Sequence, residues 1–378
     1  HWMVHSFPTR RSSDLLDADW RFVVADAQGA ERAEFDDAAW QKVDVPHDWS
    51  IAGPFDQKNP SGGAGAFLPG GVSWYRKHLA VPTEYAGRKV FAEFDGIMAN
   101  SEVWINGRSL GKRPNGYVGL RYDLTDALRF GDDQANVLAV RADTSQQPAS
   151  RWYTGAGIYR HVRLIVTDPI HLDQWATFVS TPEAAQDRAI VRVQTAVKNE
   201  SDKERAVSLR IVLVGPDGKQ VGQADTAMQT VAAGQTAGFS QDIEVKQPSL
   251  WDLDNPHLYK AIAQVMAGEK ILDDEVTTFG IRQAEFRADS GFWLNGRNFK
   301  IKGVCLHHDG GAFGAAVPLG VWERRLERLR QFGANAVRTA HNPVAPEFLD
   351  LCDRMGFLVM DEFFDCWTIG KVRYAYHL

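Results

Sequence analysis

The chain has 378 residues, of which 44% are hydrophobic, so it is long enough for two or three domains with sizeable cores. Its 42 basic and 48 acidic residues give a net charge of −6, which argues against nucleic acid or an anionic membrane as a partner. No apolar run approaches the roughly 18 residues of a membrane span. Three cysteines give neither a zinc pattern nor a disulfide framework.

Residues 1–15, HWMVHSFPTRRSSDL, do not follow the pattern of the rest of the chain. Arg10-Arg11 is not followed by an apolar stretch, which argues against a twin-arginine signal. The run SFPTRRSSDL is similar to translated sequencing adapter. We therefore predict that residues 1–15 are non-native, disordered and dispensable. On this interpretation the true start of the protein is missing. The protein is expected to be soluble, and a location in the cytoplasm, in the periplasm or outside the cell stays open.

Residues 16–167 are predicted to form a β-sandwich, because short alternating runs are separated by turn signals every 8 to 12 residues. Candidate strands cover residues 74–79, 90–94, 102–105 and 137–141. Asn106-Gly107 is a strong hairpin signal. Asp48, which follows Pro46, has two open interpretations: a hydrogen bond to a sugar hydroxyl, or the cap of a turn.

Residues 168–279 are predicted to form a second sandwich, of immunoglobulin type. Residues 189–197 and 208–214 alternate between apolar and polar side chains, and Pro216-Asp217-Gly218 is a turn signal. We find no candidate chemistry here, so this domain is expected to hold its neighbours in position.

Residues 280–378 alternate strand and helix signals. Three apolar runs, residues 301–307, 335–341 and 357–360, are separated by two helical patterns that end at Gly333 and Gly356. Strands that alternate with helices are parallel, which predicts a (β/α)8 TIM barrel with its active site at the carboxyl ends of the strands. Such a barrel takes about 250 residues, so only its first three βα units are expected and the barrel is truncated.

Several motifs resemble glycoside hydrolase family 2, most of all its bacterial β-galactosidase branch. In the third segment these are KGVCLHHDGGAFGAA, VRTAHNPVAPEFLDLCDRMGFLVMDEFFDCW and GKVRYAYHL. Upstream, DDAAWQKVDVPHDW, WYRKHLAVP, FDGIMANSEVWINGRSLGKRPNGY and RWYTGAGIYRHVRL resemble the family's sugar-binding jelly roll. PSLWDLDNPHLY resembles the end of its immunoglobulin-like domain. The fold class implied is a jelly-roll sandwich, an immunoglobulin-like sandwich and the start of a TIM barrel.

The resemblance implies a site wall at the strand ends. His307, Arg338, His341 and Asn342 match family positions that bind the sugar or support the catalytic carboxylates. An imidazole can donate to a hydroxyl, and an arginine can hold a carboxylate ionised. The remaining candidates for binding or support are Asp361, Glu362, Asp365, Trp367 and Asp48. His308 is expected to be structural, and Arg151, where some relatives have an acidic sugar ligand, is a departure from the pattern.

Asp361 and Glu362 are not expected to form the catalytic pair, because successive residues of a strand point to opposite faces. The resemblance implies that the acid/base and nucleophile glutamates follow strands 4 and 7, beyond Leu378. An acid-x-His magnesium site found in some large β-galactosidases lacks its histidine here. We therefore expect no catalytic residue, no metal and no cofactor in residues 1–378.

The sequence is thus interpreted as the N-terminal portion of a retaining exo-β-glycosidase, in first place a β-galactosidase that acts on terminal β-D-galactosides. Residues 1–378 alone are expected to be inactive. Two alternatives stay open: a β-glucuronidase or other family 2 glycosidase, and a non-catalytic carbohydrate-binding protein. The expected partner is a carbohydrate substrate, and self-association of the whole protein is left open.

Overall fold

Two antiparallel sheets form the first domain in the computed structural model, which describes residues 11–366 and 368–375. Its strands are β1 (Ser12–Leu15), β2 (Trp20–Val23), β3 (Gln41–Val43), β4 (Val72–Val81), β5 (Lys89–Phe94), β6 (Ser101–Ile105), β7 (Arg108–Arg113), β8 (Leu120–Asp123), β9 (Gly131–Asp143) and β10 (Val162–Thr167). One sheet has the order β1-β10-β5-β8 and the other β3-β2-β4-β9-β6-β7. Apolar side chains from both sheets, among them Trp20, Tyr75 and Phe94, form one core between them. As predicted, Asn106 and Gly107 turn the chain between β6 and β7, with φ of 52° and 82°.

The prediction that residues 1–15 are disordered is wrong for residues 11–15. Strand β1 pairs antiparallel with β10 from Ser12 to Leu15. Arg11 reaches the second domain, where its guanidinium lies 2.7 Å from Asp273 and 3.2 Å from Glu275. The strand is a short edge strand whose side chains are mostly exposed, so no hydrophobic alternation marks it. Residues 1–10 lie outside the described residues.

The second domain is also a two-sheet sandwich. Its strands are β11 (Ile170–Leu172), β12 (Phe178–Ala184), β13 (Arg188–Asn199), β14 (Arg205–Val214), β15 (Gln220–Asp225), β16 (Gln229–Val231), β17 (Thr236–Lys246), β18 (Tyr259–Ala267) and β19 (Lys270–Phe279). Strand β13 pairs with β17 on one edge and with β11 and β12 on the other, whereas β14 lies between β18 and the pair β15 and β16. The alternating residues of β13 and β14 supply much of the enclosed core, as their sequence pattern predicts.

The third segment begins with an antiparallel sheet and continues as a βαβαβ unit. The elements are β20 (Ala284–Arg287), β21 (Gly291–Leu294), β22 (Arg297–Phe299), β23 (Gly303–Leu306), α1 (Leu319–Gln331), β24 (Ala336–Thr339), α2 (Pro346–Met355) and β25 (Leu358–Met360). Strands β23, β24 and β25 are parallel in that order. Both helices pack on one face of this sheet around Trp322, Leu326 and Phe348. Neither helix has the length and apolar character that crossing a bilayer needs.

Hydrogen bonds join the third segment to both sandwiches. The indole Nε1 of Trp251, in the second domain, donates to the carbonyl oxygen of Asp353 over 2.8 Å. Arg160 of the first domain donates from Nη2 to the carbonyl oxygen of Pro343 over 2.8 Å. The strand ends of the third segment are therefore held against the first domain.

Candidate active site

The carboxyl ends of the three parallel strands bring polar side chains to one edge of the sheet. Leu306 of β23 is in register with Thr339 of β24, and Arg338 of β24 with Met360 of β25. His307, His341 and Glu362 therefore follow neighbouring strands at nearly the same level. This is the location from which (β/α)8 barrels present their functional side chains.

Glu362 is the centre of a charged network at this edge. Its Oε1 accepts hydrogen bonds from Nε and Nη2 of Arg338 over 2.9 and 2.5 Å, and its Oε2 lies 3.0 Å from Nδ1 of His341. Both partners donate to this carboxylate, so together they fix its orientation. Because Nδ1 of His341 donates to this carboxylate, the other ring nitrogen, Nε2, is left for a hydroxyl group.

An aromatic wall built from two domains stands beside this network. Trp152 of the first domain stacks on His307 with ring centroids 5.5 Å apart, and its ring lies 5.1 Å from that of His341. The two imidazoles are 5.5 Å apart, so these two predicted site residues lie side by side at the strand ends. The roles of both histidines in binding stay predictions. Trp152 was not among the predicted site residues, although the RWYTGAG motif that carries it could have indicated it.

Burial sets the protonation of the two histidines that follow β23. Burial, with a smaller effect of the nearby His341, lowers the pKa of His307, so its ring is neutral at pH 7. His308 lies behind it, 4% exposed, and burial lowers its pKa to about 4. Its Nε2 donates to the carbonyl oxygen of Thr154 over 3.0 Å, which agrees with the structural role predicted for it.

Asp365 of the third segment forms an ion pair with Arg151 of the first domain, so its carboxylate is not free at the strand ends. Its Oδ1 accepts from Nη2 of Arg151 over 2.7 Å and from Nζ of Lys371 over 2.8 Å. Burial acts to raise the pKa of Asp365, but these two cations outweigh it and hold the pKa at about 2. The carboxylate is therefore ionised and already engaged at neutral pH.

The side chains of Asp361 and Glu362 have separate partners, as the alternation of a strand predicts. Asp361 accepts a hydrogen bond from Oγ1 of Thr339 over 2.7 Å, and that hydroxyl accepts from the amide of Glu362 over 2.8 Å. Asn342 is 2% exposed, and its Nδ2 contacts the carbonyl oxygen of Pro343. Trp367 lies outside the described residues.

The surroundings of Asp48 favour the second of its two interpretations, the cap of a turn. It is 5% exposed, and its carboxylate accepts hydrogen bonds from four donors: the amides of Ser50, Ala156 and Ala315, and the hydroxyl of Tyr153. Burial raises the pKa of Asp48, and the four hydrogen bonds act against that shift. Since its acceptor sites are occupied, a sugar hydroxyl has no access to it.

The assembled site can bind and orient hydroxyl groups against an aromatic wall. Each carboxylate at the strand ends accepts a hydrogen bond from a side chain of the protein: Asp361 from a hydroxyl, and Glu362 and Asp365 from an arginine. Residues 11–366 and 368–375 contain no cluster of three or more histidine, cysteine or acidic side chains suited to hold a metal ion.

Three family models match successive parts of the chain. They are described as glycosyl hydrolases family 2, sugar binding domain (residues 14–169), glycosyl hydrolases family 2 (residues 170–282) and glycosyl hydrolases family 2, TIM barrel domain (residues 287–373). Together they cover nearly all of the chain after residue 13.

Two relatives match 97% of the chain. The chain is 48% identical to beta-galactosidase BoGH2A of Bacteroides ovatus and covers 43% of that protein. It is 36% identical to a putative beta-glucuronidase of Formosa agariphila and covers 34% of it. The chain thus spans less than half the length of these relatives.

Solved structures of similar proteins have the same fold. A glycosyl hydrolase family 2 member from Bacteroides cellulosilyticus matches with a TM-score of 0.93 and 37% identity, over 96% of this chain and 47% of that one. A beta-glucuronidase of Bacteroides uniformis matches with a TM-score of 0.85 and 26% identity, over 96% and 43% respectively.

Proposed function

Since the chain belongs to glycosyl hydrolase family 2, we propose that the whole protein is a retaining exo-β-glycosidase that removes terminal β-D-galactosyl residues. The observation that carries this proposal is the mouth at the strand ends, where Trp152, His307 and His341 line one side of the proposed sugar site. An aromatic ring packs against the C–H face of a sugar, and the imidazoles bind its hydroxyls.

The identity values favour a galactoside as the substrate. The relative at 48% identity is a beta-galactosidase, and the one at 36% is a putative beta-glucuronidase. Retaining hydrolysis needs two carboxyl groups about 5–5.5 Å apart on opposite sides of the anomeric carbon. In this proposal both come from later strands of the barrel, while Glu362 orients His341.

Residues 1–378 are proposed to be inactive by themselves, because of how their carboxylates are engaged. Glu362 is held by Arg338 and His341, and Asp365 by Arg151 and Lys371. A nucleophile must reach the anomeric carbon and an acid must carry a proton to the leaving oxygen. Neither carboxylate is placed to do so.

A β-glucuronidase is the second candidate, and Arg151 is the observation that favours it. Its side chain is 45% exposed at the mouth and lies beside Trp152. A guanidinium in this position can pair with the carboxylate of a uronic acid. In that case the substrate carboxylate would compete with Asp365 for Arg151.

The test measures hydrolysis of 4-nitrophenyl β-D-galactoside and of the matching β-D-glucuronide. We expect no turnover by residues 1–378, and galactoside hydrolysis with retention of configuration by a chain continued along its native reading frame. In the continued chain, His341→Ala should lower kcat/KM by about 100-fold or more, while exposed His257→Ala is the matched control. Turnover by residues 1–378 at an enzyme-like rate, or a preference for the glucuronide, would contradict the respective part of the proposal.

A further inference from the structure

We propose that a cleft at the junction of all three domains is a second carbohydrate-binding site, for a neutral oligosaccharide, separate from the mouth at the strand ends. The cavity has a volume of about 760 Å³ and is lined by residues of the first domain, the second domain and the turn after β24. Ligand sites for small molecules have volumes of about 300–1,000 Å³. A short oligosaccharide therefore fits this space.

Trp175 supplies an aromatic platform on one side of the cleft. Its side chain is 66% exposed, although it is the kind of residue that folding usually buries. The indole packs against the backbone at Gly119, where a Cβ atom would lie only 2.9 Å from Cη2 of the ring. The ring thus packs with its Cζ2–Cη2 edge near Gly119, while much of its surface stays open to a ligand.

The backbone at Trp175 supports a role beyond folding. Its φ is 53°, in the left-handed region that costs a bulky residue about 1–2 kcal/mol. The residue occupies the connection between β11 and β12, where a small residue would be tolerated more easily. Trp175 is exposed and its backbone conformation is unfavourable, so packing within the protein does not explain a tryptophan at this position. A ligand that stacks on the indole explains it better.

The polar groups that line the cleft together with Trp175 are numerous and balanced in charge. Four arginines and four acidic residues line the cleft. Several are already paired: Arg163 contacts both oxygens of Asp95 over 2.7 and 2.6 Å, and Gln174 donates to Glu93 over 3.2 Å. These pairs fix the side chains and leave them lone pairs and N–H groups for further hydrogen bonds.

This chemistry selects a neutral sugar over a charged ligand. A phosphate, a sulfate or a uronic acid would bring negative charge close to the carboxylates of Glu93 and Asp95, whereas a hydroxyl can both donate to a carboxylate and accept from a guanidinium. The stacking platform adds affinity for the C–H face of a pyranose. The combination of a tryptophan and paired polar groups therefore points to a neutral oligosaccharide.

The cleft and the mouth are neighbours with different linings. Tyr117 lines the cleft and accepts a hydrogen bond from Nε1 of Trp152 over 3.2 Å, so its ring lies between the two. Neither His307 nor His341 lines the cleft, and Trp175 does not belong to the mouth. Binding in the cleft can therefore be measured independently of hydrolysis.

The experiment titrates residues 1–378 with cellotetraose, β-1,4-galactotetraose and tetragalacturonate by isothermal calorimetry. We expect binding of at least one neutral tetrasaccharide, and Trp175→Ala should raise its Kd by about tenfold or more. Glu93→Gln, which keeps the shape of the side chain, should weaken binding by about threefold or more.

Two variants serve as controls. Phe178→Ala removes an aromatic of similar exposure, 63%, that does not line the cleft, and it should bind as the native chain does. Phe286→Ala removes an exposed aromatic of the third segment that does not line the cleft, and it should also leave the titration unchanged. The proposal is overturned by the absence of binding to both neutral tetrasaccharides, by a Kd that Trp175→Ala leaves unchanged, or by tighter binding of tetragalacturonate at this cleft.

Discussion

The buried ring of His308 makes the free energy of unfolding depend on pH. Its pKa is lowered to about 4 by burial, against 6.5 for an unburied histidine. At a pH between these two pKa values, His308 is protonated in the unfolded chain and neutral in the folded protein. Stability is therefore lost as pH falls from about 6.5 to 4. The contribution of His308 is about 3 kcal/mol over the full range and about 2 kcal/mol between pH 7 and pH 5.

Denaturant unfolding at pH 7 and pH 5 checks this prediction. His308→Gln should lose less stability between the two pH values than the native chain does, even though the substitution lowers stability at pH 7. The exposed His257→Gln is the matched control and should keep the native pH dependence. An equal pH dependence in His308→Gln would contradict the assignment of a neutral buried ring.

Strand β1 is short, and the ion pair of Arg11, the residue before it, contributes more to its stability than the pairing of the strand itself. Arg11 pairs with Asp273, whose side chain has no exposed surface, and also donates to the carbonyl oxygen of Leu172. Removing the cation leaves Asp273 as a buried charge without its arginine. We therefore expect Arg11→Met to lower the free energy of unfolding by about 3–5 kcal/mol.

The pair of Arg192 and Asp242 provides the control for this prediction. Its two hydrogen bonds are 2.7 Å long, but both side chains are more than 40% exposed. Arg192→Met should therefore lower the free energy of unfolding far less than Arg11→Met does, because water screens an exposed ion pair. Similar costs for the two substitutions, measured by chemical denaturation, would mean that β1 is not held by its buried ion pair.

The ends of α1 and α2 differ in what surrounds their terminal glycines. Gly356 has φ of 67°, and a Cβ atom there would lie 2.3 Å from the carbonyl oxygen of Leu253 in the second domain. Gly333 has φ of 83° and nothing within 4 Å of the same position. Gly333→Ala should cost about 1–2 kcal/mol, from the left-handed backbone alone.

Gly356→Ala should cost more, about 3 kcal/mol or above, because α2 must also move away from the second domain. The measurement is the midpoint of denaturant unfolding for both variants, together with hydrogen exchange at residues 251–258. Equal costs with unchanged exchange in that segment would indicate that α2 does not contact Leu253 closely.

At the scale of the whole molecule, Asp48 joins the first domain to the third. It is buried and accepts from the amide of Ala315, 267 residues away, as well as from Ala156 and Tyr153. Asp48→Ala leaves several buried donors without an acceptor, each at about 1–3 kcal/mol. We expect a loss of about 3 kcal/mol or more in stability and faster hydrogen exchange in residues 309–316.

Asp56→Ala is the comparison for that variant. Asp56 also caps a turn, by accepting from the amide of Lys58, but it is exposed. Its substitution should change stability by less than about 1 kcal/mol and leave the exchange of residues 309–316 unchanged. If Asp48→Ala behaved in the same way, the carboxylate would not be a joint between domains.

The order of strands and helices could be predicted from the sequence because each depends on local periodicity. The alternation of β13, the Asn106-Gly107 turn and the glycine stops after α1 and α2 are all found in the structure. Strand β1 could not be predicted, since an exposed edge strand buries almost nothing. Asp48 and Trp152 could not be placed from periodicity either, because their decisive partners belong to a domain far along the chain.

The stacking of Trp152 on His307 has a consequence for any ligand of the mouth. Trp152 belongs to the first domain and His307 to the third segment, so their contact is intramolecular. Its strength depends on the effective concentration of one ring near the other, which the covalent connection between the domains sets. A molecule that enters the mouth meets a contact that is already made within the protein. One that extends the contact tightens the association of the two domains, and one that separates the rings must compete with it. We therefore expect the size of ligand that the mouth accepts to depend on this contact between the domains as well as on direct contacts with the ligand.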